Sequence, residues 1–326
     1  MAGGKSSTIT VNEAVAMAEV KTGTLMIPII DLAGVIHGSR RAGIVKQIQG
    51  AMAEWGIFQV LNHGISSNVL QEMLEGSRRF HEEDMRGQEA LYSWDLKKKV
   101  RYRSHYCQQG ARPGWKGSLI VEMAPEPPAH EELPSVCREI LIEYVKHVSS
   151  LGETLFEVIS EALGLEADRL KQAKCDEGML VSCHYYPPCP NSEPKIGSVQ
   201  HSDPSFLTVL LQDQIGGLQV LHDGNWVNVT PVHGALVVNV GDFLRLVTND
   251  KLKSVVHRVM VDDVSPRLSV ACLFVYPTST MPFGPLKEFV SEGNGSLYRE
   301  ITSQEYFVHL LSKVVDCTSG LAEFKL

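Results

Sequence analysis

The sequence predicts a mainly β fold with α-helical additions, whose core is a two-sheet barrel or jelly roll (a double-stranded β-helix). After Gly178 the apolar residues fall into short runs such as "MLVSCHYY", "FLTVLLQD" and "RLSVACLFVY", which are separated by Gly, Pro, Asn and Asp. Seven or so such runs, at intervals of about ten residues, are typical of barrels and jelly rolls. Helical periodicity on either side of this region predicts the additions.

The amino-terminal part is predicted to alternate strands and helices. The apolar stretch "LMIPIIDL" at 25–32 predicts a strand, and a helical pattern follows over roughly 40–54. "GIFQVLNHG" at 56–64 predicts a second short strand, and the residues near 67–80 predict a second helix. This order predicts a β-α-β-α unit ahead of the barrel.

A long helix is predicted between the two parts, over 133–164. Pro134 is expected in its first turn and Gly164 at its end. Apolar side chains recur at three- and four-residue steps and form one stripe, which consists of Ile140, Tyr144, Val148, Leu151, Leu155, Ile159 and Leu163. We expect this helix to support the barrel.

A further helix is predicted near the carboxyl end, in "TSQEYFVHLLSKV", where Thr302 and Glu305 have the spacing of a capping box. We expect it to pack as a lid or a brace against the barrel. No repeat or long linker separates the predicted regions. The chain is therefore expected to form one structural unit with parts at 25–130, 133–164, 177–278 and 279–326.

Composition excludes several classes of protein. The 30 basic residues are outnumbered by 38 acidic ones, so the chain lacks the broad positive field that binds nucleic acid. No stretch reaches the roughly 18 to 20 apolar residues that a membrane span needs, and the first 25 residues contain no long apolar run. The seven cysteines are scattered without CxxC pairs, which favours reduced thiols in a cytosolic compartment.

One group of residues has the side chains of a metal site. His201 and Asp203 lie just before an apolar run, and residues two apart in a strand share a face. His257, in "SVVHRVMV", lies in another predicted strand that hairpins could bring to the same barrel mouth. Two imidazoles and one carboxylate with open positions are typical of non-haem Fe(II) oxygenases. A chance H-x-D pair, a hydrogen-bonded core histidine or a zinc site remain alternatives.

A second polar pair makes a reactive site the better interpretation. Arg267 and Ser269 stand on one face of an apolar strand, ten residues after His257. A buried guanidinium needs a partner, and its forked donors suit a carboxylate. That strand contains no acidic residue, so a ligand carboxylate near the metal is the candidate partner. A metal sensor or storage protein without turnover would have no need of such a clamp.

These residues carry a resemblance to a known family. "HYYPPCP", "HSD", "GGLQVLHDGNWVNVTPVHGALVVNVGDFLRLVTNDKLKSVVHRV" and "RLS" resemble the plant soluble 2-oxoglutarate- and Fe(II)-dependent dioxygenases. "IPIIDL", "GIFQVLNHGI" and "ELPSVCREILIEYVKHV" extend the resemblance over nearly the whole chain. The chain is most similar to the branch of 1-aminocyclopropane-1-carboxylate oxidase homologues, which includes hydroxylases of alkaloids and benzoxazinoid glucosides.

The resemblance implies roles for particular residues. His201, Asp203 and His257 would hold Fe(II), while Arg267 and Ser269 would bind the distal carboxylate of 2-oxoglutarate. Tyr186 would donate a hydrogen bond to the same end. His184, which shares the strand face of Tyr186, would contact the cosubstrate or support the site, and a packing role is the alternative. The reaction would consume O2, release succinate and CO2, and hydroxylate a small plant metabolite, with ascorbate as the reductant.

Substrate contacts are predicted from strand alternation and from aromatic residues. Leu273 lies six residues after Arg267 and therefore on the same strand face. The complete set of candidates is Leu273, Phe206, Trp115 and Phe274, for each of which a packing role is the alternative. The family generally has a longer segment before "IPIIDL" that helps to cover the site.

One further enzymatic alternative is a 1-aminocyclopropane-1-carboxylate oxidase-like activity, which uses ascorbate and no 2-oxoacid. The ending "DCTSGLAEFKL" lacks the basic motif that such enzymes carry, so the sequence favours 2-oxoglutarate dependence. The expected partner is a small-molecule substrate, without nucleic acid or membrane. The protein is expected to be a cytoplasmic monomer.

Overall fold

A long hydrogen-bonded sheet that curls into a jelly roll forms the centre of the fold. The computed structural model describes residues 25–36, 38–107, 114–189, 195–261, 264–312 and 320–326. The helices are α1 (Arg41–Glu54), α2 (Ser67–Glu83), α3 (Met85–Leu91), α4 (Arg138–Ala162), α5 (Arg169–Gln172), α6 (Asp242–Val247) and α7 (Ser303–Ser312).

The strands account for most of the described chain between the helices. They are β1 (Ile29–Asp31), β2 (Ile57–Leu61), β3 (Val100–Cys107), β4 (Gly114–Ala124), β5 (Met179–Tyr186), β6 (Lys195–His201), β7 (Leu207–Gln212), β8 (Leu218–His222), β9 (Asn225–Asn228), β10 (Leu236–Val240), β11 (His257–Val261), β12 (Arg267–Leu273), β13 (Pro282–Phe283) and β14 (Ile301–Thr302). Neighbouring strands follow the order β1-β2-β10-β7-β12-β5-β4-β6-β11-β8-β9, and β3 pairs with β4. The predicted jelly-roll core is confirmed.

Strand β12 is an interior strand of this order and is buried along its whole length. It pairs antiparallel with β5 on one side and with β7 on the other. Its alternate residues Arg267, Ser269, Ala271 and Leu273 line an internal cavity. Arg267 and Ser269 therefore point into the interior of the barrel, although the strand that contains them is buried.

The amino-terminal unit has the predicted order. Strands β1 and β2 are parallel, as the intervening helix α1 requires, and β2 joins the jelly roll through antiparallel pairing with β10. Helix α2 begins after Ser66, whose side chain accepts a hydrogen bond from the backbone N–H of Val69 at 3.3 Å. Both predicted strands are shorter than the apolar stretches that predicted them.

The long helix α4 packs against the outside of the sheet. Its buried face includes Tyr144, Val148, Leu155 and Ile159, which confirms the predicted stripe. The helix begins at Arg138, so the expectation that Pro134 lies in its first turn was wrong. The backbone N–H of Cys137 instead bonds the carbonyl of Pro134 in a separate turn.

The carboxyl-terminal helix α7 is a brace. The hydroxyl of Thr302 accepts a hydrogen bond from the backbone N–H of Glu305 at 3.0 Å, as the capping pattern predicts. The hydroxyl of Tyr306 donates to Asp242, and its ring packs edge-on against Phe243 of α6. Within the described part of the chain, no residue after Leu273 lines the internal cavity.

Three strands of the described sheet were not predicted. Strands β3 and β4 contain charged residues, and the buried pair Arg101–Glu122, at 3.1 Å, shows why a search for apolar runs passes over them. Strand β6 is likewise mostly polar. As for membrane insertion, none of the helices in the described ranges combines the length and the apolar character that a span requires. Residues 1–24, which include the segment before "IPIIDL", lie outside the described residues.

We expect Gly152→Ala to destabilise the protein, because a Cβ at this position of α4 would collide with the ring of Phe274, which follows β12. Overpacking of this kind costs about 1–3 kcal/mol of unfolding free energy. The matched control is Gly50→Ala on α1, where nothing lies within 4 Å of the added carbon. That change should stabilise by about 0.4–1 kcal/mol. Urea unfolding measures both, and equal effects would contradict the packing described here.

Candidate active site

An internal cavity of about 210 Å³ opens inside the jelly roll. Its walls come from β2, β4 to β8 and β10 to β12. A larger groove of about 540 Å³ lies elsewhere, between the turn after β1 and helix α4. Of the two, the internal cavity contains the group of metal-ligating side chains found among the described residues.

His201, Asp203 and His257 meet at one end of the cavity. Strands β6 and β11 pair so that His257 lies opposite His201. The Nε2 atoms of His201 and His257 lie 3.7 Å and 3.6 Å from Oδ1 of Asp203. The three potential ligand atoms all lie within 4.8 Å of one another, so a single ion can contact all of them.

The directions of these side chains agree with the alternation that the sequence suggested, although the strand ends before Asp203. His201 is the last residue of β6, and Asp203 lies beyond the strand in the connection to β7. Ser202 points away from the site, where its hydroxyl donates to Asp242 at 2.8 Å. The connection after β6 therefore keeps the carboxylate of Asp203 on the same side as His201.

Both imidazoles are held by hydrogen bonds at Nδ1, which leaves Nε2 of each available to bind a metal. Nδ1 of His201 lies 2.7 Å from the carbonyl of Val199, and Nδ1 of His257 lies 3.3 Å from the carbonyl of Val255. A carbonyl only accepts, so each Nδ1 carries the proton and each Nε2 presents a lone pair. Such backbone bonds orient histidine ligands in metal sites.

The carboxylate of Asp203 is also held in place. Nδ2 of Asn239, on β10, donates to its Oδ2 at 2.9 Å and leaves Oδ1 directed at the histidines. Burial by itself raises the pKa of Asp203, but the nearby His257 and His201 and this hydrogen bond outweigh it and leave the pKa below its ordinary value. The residue is therefore an anion suited to a cation.

Arg267 and Ser269 lie buried in the same cavity. The guanidinium donates to the carbonyl of Gly216 at 2.6 Å, to Oε1 of Gln212 at 3.1 Å and to Oγ of Ser269 at 3.0 Å. All three acceptors are neutral. The positive charge is thus held in place by its hydrogen bonds but is not neutralised by them.

His184 and Tyr186 line the cavity beside Arg267. Nδ1 of His184 lies 2.8 Å from Oγ of Ser118, and burial, helped by the positive charges of Lys116 and Arg267, holds the pKa of His184 well below its usual value. The ring of Tyr186 lies 5.2 Å from Cζ of Arg267. The structure therefore places a neutral imidazole and a phenol beside the guanidinium.

The four residues predicted to contact the substrate take different positions relative to the cavity. Leu273 lines the cavity, as strand alternation predicted. Trp115 is half-buried and packs beside the cavity against the apolar cluster that contains Tyr186, without lining the cavity itself. Phe274 packs on Phe156 of α4, with ring centroids 5.3 Å apart, and Phe206 packs among core aromatic residues. The structure places these last two in the core.

Sequence models identify the family. The model of the 2OG-Fe(II) oxygenase superfamily matches residues 177–275, and the model described as non-haem dioxygenase in morphine synthesis N-terminal matches residues 27–137. The chain belongs to the 2OG-Fe(II) oxygenase superfamily. It is an Fe(II)- and 2-oxoglutarate-dependent dioxygenase, which confirms the resemblance seen in the sequence.

Relatives place this dioxygenase in a plant branch. It is 50% identical over 310 residues to 1-aminocyclopropane-1-carboxylate oxidase homolog 11 of Arabidopsis thaliana. The alignment covers 93% of this chain and 85% of that protein. Homolog 7 of the same plant is 47% identical over 309 residues, covering 94% and 89%. The predicted branch of oxidase homologues is thereby confirmed.

Solved structures agree with the fold. JOX2, crystallised with 2OG, Fe and JA, superposes with a TM-score of 0.83 at 30% identity and covers 96% of this chain and 97% of its own. The dioxygenase for auxin oxidation in rice gives a TM-score of 0.77 at 26% identity, covering 92% and 100%. The donor set seen here, two imidazole Nε2 atoms and one carboxylate, fits the iron that the family uses.

The polar residues of the site that sequence reasoning missed include Asn239, Gln212 and Lys116. Asn239 interrupts the apolar run "ALVVNV" and Gln212 ends the run "FLTVLLQ", so each could have been noticed as a polar residue in a buried strand. Lys116 lies in a strand that the sequence pattern did not predict. Its position on the cavity wall follows only from the pairing of β4.

We expect Asn239→Ala to weaken iron binding by about ten- to hundredfold, the usual effect of removing a group that orients a metal ligand. Loss of the amide frees Oδ2 of Asp203 and lets the carboxylate rotate. Anaerobic titration with Fe(II) measures the affinity, and Asn225→Ala, which changes an exposed asparagine of β9, is the control. Equal affinities in the two variants would show that Asn239 does not position Asp203.

Proposed function

We propose that this dioxygenase hydroxylates a small, largely apolar specialised metabolite, with 2-oxoglutarate as cosubstrate and succinate and CO2 as co-products. The observation that carries the proposal is the buried, charge-bearing Arg267 beside the His201, Asp203 and His257 cluster in one cavity. The membership of the family supports the reaction class. The small cavity supports a small substrate, since its volume lies below the roughly 300–1,000 Å³ of ordinary ligand pockets.

The roles that we propose follow the geometry. His201, Asp203 and His257 hold Fe(II), which activates O2 for the oxidation when the cosubstrate is also bound. Arg267 and Ser269, with Tyr186 as a further hydrogen-bond donor, hold the distal carboxylate of 2-oxoglutarate. Since Arg267 has only neutral acceptors, a carboxylate can pair with it without displacing another anion.

The rest of the cavity serves the substrate. Apolar side chains that line it are Ile57, Leu210, Leu218, Val259, Ala271 and Leu273. We propose that Leu273 contacts the substrate directly, that Trp115 supports the wall beside it, and that His184 contacts the cosubstrate. Apolar walls exclude water and set which C–H bond is presented, so they decide the outcome of the reaction.

The reaction itself can be tested without knowing the substrate. We expect the anaerobic protein with Fe(II) to develop a charge-transfer absorbance when 2-oxoglutarate is added, and a screen of plant metabolites to reveal compounds that stimulate succinate release. Asp203→Ala should lose the absorbance and at least about a thousandfold of the turnover, because it removes the only charged ligand. An Asp203→Ala protein with full activity would refute the metal assignment.

A separate prediction concerns the clamp. Arg267→Ala removes the charge that we assign to the distal carboxylate, and a charge-assisted interaction of this kind contributes about 1.5–3 kcal/mol. We therefore expect the 2-oxoglutarate requirement to rise by about ten- to hundredfold, while Fe(II) binding is retained. Arg258→Ala, which changes an arginine outside the cavity, is the control. An unchanged 2-oxoglutarate affinity in Arg267→Ala would remove the main support for the proposal.

A further inference from the structure

A second basic side chain reaches the cavity, and the proposed chemistry does not use it. Lys116, on β4, lines the wall between β5 and β6. Its Nζ donates to Oγ of the buried Ser198 at 3.1 Å and lies 6.0 Å from the centre of the Tyr186 ring. The ammonium of Lys116 and the guanidinium of Arg267 therefore both lie near the ring of Tyr186.

Lys116 has no anionic partner within the described chain. Its Nζ hydrogen bond is to a hydroxyl, and none of the described carboxylates forms an ion pair with it. The side chain is half-buried, so water covers part of it while the cavity is open. A ligand that contacts the ammonium would displace water from it, and a desolvated ammonium without a counter-charge is unfavourable.

Counted over its lining side chains alone, the filled cavity has a formal excess of positive charge. Among the described lining residues, the permanently charged side chains are Lys116, Arg267 and Asp203. Fe(II) adds two positive charges, so the site with its metal has a formal excess of three. The two carboxylates of 2-oxoglutarate neutralise two of these. One positive charge remains, and Lys116 is the base that neither the metal nor the clamp engages.

We infer that Lys116 selects a substrate with one negative charge, and that this charge is a carboxylate attached to an apolar body. The inference rests on the proposed function and specifies its substrate class. Ser198 would share the recognition, because its hydroxyl already accepts from Lys116 and can donate to the same carboxylate. The apolar walls at Leu210, Leu218 and Val259 would take the remainder of the molecule.

Direct binding tests the inference without knowledge of the natural substrate. The probe is benzoate, with benzamide as its neutral counterpart, added to anaerobic protein saturated with Fe(II) and 2-oxoglutarate. Calorimetry should show that benzoate binds at least about tenfold more tightly than benzamide. Lys116→Met, which retains the apolar stem, should lose about ten- to hundredfold in benzoate affinity, as for other charge-assisted hydrogen bonds. Lys116→Arg should retain most of it.

The controls separate the possible failures. Lys46→Met changes an exposed lysine of α1 and should leave benzoate binding unchanged. The 2-oxoglutarate affinity of Lys116→Met should stay within about twofold of wild type. A larger loss would assign Lys116 to the cosubstrate and overturn the inference, as would equal binding of benzoate and benzamide or equal benzoate binding by wild type and Lys116→Met. A missing 2-oxoglutarate absorbance in wild type would instead refute the proposed function.

Discussion

The pairing of β11 with β6 is the contact on which the candidate site depends. It sets His257 opposite His201, although 55 residues separate them in the chain. Both imidazoles then face the interior, and the connection after His201 adds Asp203. Adjacent residues of a strand face opposite sides, so a slip of one residue in this pairing would turn His257 out of the cavity. The register of two strands thus controls whether the three ligands meet.

The charged side chains of the cavity share one property. Neutral groups of the protein orient them by hydrogen bonds, and bound ions or ligands would neutralise their charge. Arg267 is fixed by three neutral acceptors and Asp203 by the amide of Asn239. Lys116 is bonded to a hydroxyl. Buried charges held in this way are expensive while unpaired and become favourable when a counter-ion enters. We therefore interpret the interior as preorganised for iron and for the anions that we propose.

Much of the architecture could be predicted from local patterns. The stripe of α4, the cap at Thr302 and the strands β5, β7 and β12 are visible in short windows, because each element meets the core with a regular apolar face. The pair β3–β4 was missed for the opposite reason. Arg101 and Glu122 neutralise each other in the interior across 21 positions, and no local window shows that a buried arginine has a partner.

The sequence alone determined the family, and it predicted the ligand types and the clamp that we propose for Arg267 and Ser269. Only the tertiary structure decided that β6 ends before Asp203, that Phe274 belongs to the core beneath α4, and that Lys116 reaches the cavity. The physical reason is that residue type and periodicity are properties of the chain over a few residues. The direction and surroundings of a side chain depend on which distant strands pair, and in what register.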